Sequence, residues 1–219
     1  MKMTTIPLFP LPMVVLPGEP MLLHIFEDRY KEMLRDVRAN VEQGEFADFG
    51  IALSNDEGKH VGVGTTVALT EVFEEFEDGR MNIMVTGRHR FQVVGKDKTG
   101  PYDRAEVIFL EDDEADWDDE KANRAFQLHR EISKLVLGAY PADELYDGKA
   151  HPSYMLAQSV GLPLEVKQKL IEQSIEDERL ELLGDYFEIL LPEMERIENI
   201  KAQARENWSM QEHLRNKAT

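Results

Sequence analysis

Between Ile6 and Leu23 the chain sets five prolines, Pro7, Pro10, Pro12, Pro17 and Pro20, among bulky apolar residues. Each proline fixes φ and removes a backbone donor, so this stretch can be neither a helix nor a central strand. Edge strand and loop are the forms left to it. An apolar edge then has two uses. If Pro12, Met13, Val14, Leu16, Pro17 and Met21 stay partly exposed, their adaptable side chains offer a surface that receives extended polypeptide. If they turn inward, they close the core. The residues alone leave both readings open.

Short apolar runs rich in β-branched and aromatic residues, broken by Gly, Pro and Asp, continue to about residue 111, which is strand spacing. The clearest pair is 66–76 with 81–94. Glu77, Asp78, Gly79 and Arg80 lie between them and supply the positive-φ residue that a hairpin turn requires. Gly62, Val63 and Gly64 read as a further turn. A helix is predicted over 26–40, where Tyr30, Met33, Leu34 and Val37 fall at i, i+3, i+4 and i+7.

After Trp117 the period becomes helical. One helix is predicted over 118–137, with Ala122, Ala125, Phe126, His129, Ile132 and Val136 on one stripe and Gly138 as its stop. Shorter ones follow over 152–160 and 164–173. A long helix begins where Ser174 and Asp177 resemble a capping box, and its stripe is Leu180, Leu183, Phe187 and Leu190. Pro192 should kink or break it. Residues 111–120 hold eight acids in ten positions and no glycine, which suits a solvated joint better than a calcium loop. The expected domains are therefore 1–112 and 113–219.

Composition narrows the chemistry. The 219 residues include no cysteine, which excludes disulfides, thiolate nucleophiles and Cys-rich metal sites. Twenty-five Lys and Arg against 43 Asp and Glu leave −18, a balance that repels phosphate and argues against nucleic acid as a partner. The trio Arg88, His89 and Arg90 interrupts that acidity; it could meet an anion or an acidic partner, or balance acids across a sheet. No Gly-rich stretch has the spacing of a phosphate cradle, and no serine stands in a nucleophile context. The six histidines are scattered, and His129 on an apolar stripe suits a packed, satisfied side chain better than a ligand. No catalytic residue, metal ligand or cofactor site is assigned. Without an export signal or an apolar run long enough for a bilayer, the expected location is the cytoplasm.

Three separated stretches resemble the LON family, the amino-terminal substrate-binding domain of ATP-dependent Lon proteases and its free-standing relatives. The first is Ile6 to Leu11 followed by Val15 to Tyr30. The second is Gly62 to Thr65, with the Asp78-Gly79-Arg80 turn leading to Gly87, Arg88, His89, Arg90 and Phe91. The third is Lys167 to Glu172 with Glu178 to Leu183 after it. Their order and spacing cover residues 6–191. The resemblance implies an α+β chain, a PUA-like β-barrel followed by a C-terminal α-helical bundle. It also implies recognition of unfolded or damaged polypeptides, or of partner proteins, in protein quality control. The ATPase and Ser-Lys peptidase modules of the family have no counterpart in these residues, so a non-catalytic binding module is expected. A Lon-like peptidase subunit or hydrolase is the alternative, and a PUA-like RNA-binding module the third reading.

Overall fold

The computed structural model describes residues 2–44, 46–54, 60–97, 99–113, 117–146 and 151–217. Six strands, β1 Met3–Leu11, β2 Pro20–Ile25, β3 Phe49–Ser54, β4 His60–Glu75, β5 Met81–Asp97 and β6 Arg104–Leu110, share the chain with five α-helices. These are α1 Asp28–Gln43, α2 Asp119–Leu137, α3 Pro152–Ser159, α4 Leu164–Glu172 and α5 Glu176–Lys217. Two compact units result. Met1–Ala115 with Gly161–Glu176 form the first, and Asp116–Val160 with Asp177–Thr219 the second. The α4 segment, expected with the helical half, thus belongs to the sheet-bearing unit.

In the first unit the strands run β2-β5-β4-β3-β1-β6, and β5 also pairs with β6. The pairings from β5 round to β6 therefore return on themselves, while β2 pairs, among the described residues, with β5 alone. The sheet is mixed, because β1 and β3 are parallel and the other pairs antiparallel. The proline-rich start thus lies between two strands in the sheet order, yet keeps one edge-like side along each half. Residues 3–7 of β1 pair with β6 and residues 8–11 with β3. Each half is laddered on one side only, so a proline nitrogen facing the other side forfeits no bond.

The hairpin falls where the spacing puts it. Gly79 takes φ +78°, and its N–H donates to the Phe76 carbonyl at 2.9 Å. Gly62 and Gly64, expected in a turn, lie inside β4, with Gly64 opposite Phe91. Helix α1 follows its predicted stripe. Tyr30, Met33, Leu34 and Val37 are buried in one cluster with Phe9, Phe49, Ile51, Val67, Ile83 and Val85. The Phe9 and Tyr30 rings lie 3.9 Å apart. At about 1.5–3 kcal/mol for each large apolar side chain fully removed from water, this cluster is the main support of the unit.

The second unit holds α2, α3 and α5. Asp118 caps α2 by accepting from the Glu120 N–H at 2.7 Å, and Gly138 ends it in the left-handed region. Ala122, Ala125, His129 and Ile132 are buried as predicted, whereas Val136 is exposed. Side chains of α2 and α5 pair turn by turn: Lys121 with Glu181 at 2.7 Å, then Arg124 with Asp185 at 2.8 Å and Glu188 at 2.7 Å. The Ser174–Asp177 capping box does not form. Asp177 instead accepts the Asp118 N–H at 2.7 Å, and the Ser174 hydroxyl faces Arg90. Pro192 neither stops α5 nor marks its end. The stripe that anchors the helix, Leu180, Leu183 and Phe187, is buried before it, and Pro192 itself is exposed, where water can take up the carbonyl it frees.

His129 sits at the centre of this unit. The Ser159 hydroxyl donates to the Leu156 carbonyl at 2.9 Å, so His129 Nε2–H donates to Ser159 while Nδ1 accepts from the Tyr146 hydroxyl at 2.8 Å. Burial, reinforced by Arg130, holds the imidazole neutral down to about 4. This is a satisfied interior histidine.

Candidate functional site

Residues 12–19, between β1 and β2, make one tight turn locked on three sides. Glu19 N–H donates to the Leu16 carbonyl at 3.0 Å while the Glu19 carboxylate accepts the Leu16 N–H at 2.8 Å. Gly18 and Glu19 exchange backbone bonds with Gly87 of β5 at 2.9 Å each. Gly87 has to be glycine, since a Cβ there would meet the Leu16 carbonyl oxygen at 2.1 Å. The third lock comes from α4, where Lys167 reaches the other Glu19 oxygen at 2.6 Å.

This geometry corrects the expectation of an exposed apolar surface on the loop. Val14 is 4% exposed and Leu16 0%, so both are core. Met13 and Met21 are half-buried and pack on the main cluster. Pro17 is half-buried, and Pro12 alone of the six is exposed. The core reading holds for the middle of the loop.

The basic trio is split as well. A register shift between β4 and β5 falls across residues 87–90, leaving Arg88 and His89 exposed and turning Arg90 inward. Arg90 is 1% exposed. Its guanidinium donates to the carbonyls of Ile171 at 2.8 Å and Glu111 at 3.1 Å and pairs with Asp112 at 2.8 Å. Arg90 is a clamp, and it does not contact an outside anion. The same contacts, with the Asp113 N–H donating to the Ser174 carbonyl at 3.0 Å, make residues 111–113 part of the first unit. The centre of the acidic run, residues 114–116, on which the solvated-joint reading falls, lies outside the described residues.

What stays open is β2. Its register aligns Leu22 with Met84 and Glu71, and His24 with Asn82 and Glu74, so these six side chains share one face across three strands. Leu22 is 65% exposed and Phe26, just beyond the strand, 59%. His24 stacks on Phe26 with centroids 5.9 Å apart and meets Phe76 edge-on at 6.3 Å. A polar chain fixes it, His24 Nδ1–H donating to Asn82 at 2.7 Å and the Asn82 amide to Glu74 at 2.9 Å. Among the described residues β2 pairs with β5 only, so alternate N–H and C=O groups of β2 face outward. Met21, expected on this surface, lies one residue from Leu22, and a shift of one residue reverses the face. The available signal was the alternation Leu22, His24, Phe26.

Among the described residues no cluster of His, Asp or Glu could hold a metal, and no helix is long and apolar enough to cross a membrane. Two solved structures are similar to this chain. The Lon N-terminal domain protein from Xanthomonas campestris is 28% identical, with a TM-score of 0.64 over 82% of this chain and 96% of that one. The N-terminal domain of the Mycobacterium avium complex Lon protease is 17% identical, with a TM-score of 0.60 over 84% and 98%, and shares the fold. The family model of the ATP-dependent protease La (LON) substrate-binding domain matches residues 5–188, and to that family this chain belongs.

Proposed function

We propose that this chain captures unfolded or partly unfolded polypeptide in protein quality control, without chemistry of its own, at the outer face and free edge of β2. The observation that carries the reading is the pairing of two features in one place: a strand laddered on one side, and Leu22 and Phe26 standing exposed beside it. An added strand gains main-chain bonds along the edge and apolar contacts at alternate positions. The returning circuit from β5 to β6 supports a PUA-like barrel as the platform, and α2, α3 and α5 a helical bundle. A cytoplasmic setting suits such a role. The hydrolase alternative would need an activated nucleophile, yet Ser159, the serine nearest the His129 ring, gives its proton to a backbone carbonyl beside a buried imidazole.

The test is binding of an unfolded model protein followed by fluorescence anisotropy, with casein hydrolysis measured in parallel with and without ATP. Leu22→Ser with Phe26→Ser should weaken binding at least about tenfold, a loss of roughly 1.4 kcal/mol, with unchanged melting. Binding that survives both substitutions would refute the site. Hydrolysis by highly purified protein would refute the non-catalytic reading.

A further inference from the structure

We infer that the segments this face takes are apolar and basic, carrying lysine or arginine between their apolar residues; the inference rests on the reading of β2 as the capture surface. The face is chemically lopsided. Leu22, with Phe26 beyond the strand end, lines the β2 side, and Glu71 and Glu74 line the β4 side, about 10 Å away at two strand spacings. Met84 and Asn82 lie between. A segment laid over this face meets an apolar rim on one flank and a carboxylate rim on the other.

Those two carboxylates are not spent on the protein's own cations. Nearby acids are: Glu75 pairs with Arg38 at 3.1 Å, Asp78 with Arg80 at 2.7 Å and Glu27 with Arg29 at 2.9 Å. Among the described residues Glu71 has no cationic partner, and Glu74 accepts only the neutral Asn82 amide. Arg80 also lies over the Phe76 ring at 5.0 Å, so one aromatic of this face already holds a guanidinium, while Phe26 remains open to another. A second copy of the chain fits poorly. At −18 each the copies repel, and neither copy offers the other a cationic rim on this face.

Three unstructured peptides of identical apolar content, differing only in having Lys, Gln or Glu between the apolar residues, separate the possibilities when titrated against the whole chain. The Lys peptide should bind at least about fivefold more tightly than the Gln peptide, and the Glu peptide most weakly, with the differences closing at high salt. Glu71→Gln with Glu74→Gln should bring the Lys and Gln peptides together without moving the melting temperature, since both residues are exposed. Equal affinities for all three peptides, with binding still lost in Leu22→Ser, would overturn the basic preference and leave the capture surface standing. Affinities indifferent to Leu22→Ser would overturn both.

Discussion

Two neighbouring stretches, residues 12–19 and β2, share their composition and differ in fate. Each sets proline beside Met and Leu, yet Leu16 is fully buried and Leu22, six positions on, is 65% exposed. The difference lies outside both. Gly87, seventy residues away, accepts the loop against β5, and Lys167 on α4 closes it through Glu19. Among the described residues β2 has β5 on one side and no second strand. Apolar character makes a residue suitable for a core or for a ligand, and distant partners decide which.

The comparison breaks most visibly at Leu16. Leu16→Ser removes a large buried side chain and leaves a hydroxyl in its place, so a loss of about 3–5 kcal/mol in chemical denaturation is expected. Arg90→Ala comes next. It strips the buried guanidinium that bonds Asp112 and the carbonyls of Glu111 and Ile171, and should cost about 3 kcal/mol or more through the loss of these buried bonds together. If Arg90 served an outside anion instead, the variant would melt normally.

Acid gives a control in the second unit. His129 is neutral in the fold down to about 4, whereas a free histidine titrates near 6.5. Its lowered value means that the unfolded chain binds the proton more readily. The associated stability is therefore complete above about pH 6.5 and is lost as pH falls toward 4, by up to about 3 kcal/mol. His129→Gln should flatten that part of the stability–pH curve; an unchanged slope would mean that the imidazole does not titrate as its burial demands. Glu19→Gln is milder: it weakens the Lys167 tie but can keep the bond from the Leu16 N–H. A loss of about 1–2 kcal/mol is expected, with the loop still closed by Gly87.

Much of the fold was legible because its signals are local. The α1 stripe, the turn at Gly79 and the Gly138 stop of α2 are all read within a few residues of where they act. What failed was non-local. The split of β1 between two partners, the membership of α4 in the sheet-bearing unit and the inward turn of Arg90 each depend on residues far along the chain. The site suffered in the same way. The right neighbourhood, the proline-rich opening, was visible, but the open face begins one residue beyond Met21 and draws Met84, Glu71 and Phe76 from another hairpin.

One substitution made at two positions tests the central claim, that β2 is the open surface and the loop before it is core. Leu16→Ser and Leu22→Ser are compared for thermal melting and for affinity toward an unfolded model protein. Leu16→Ser should melt far lower. Leu22→Ser should melt within about 0.5 kcal/mol of the parent and bind at least about tenfold more weakly. The reverse pattern, a stable Leu16→Ser that no longer binds beside a Leu22→Ser that binds as the parent does, would place the capture surface on the loop and contradict the account.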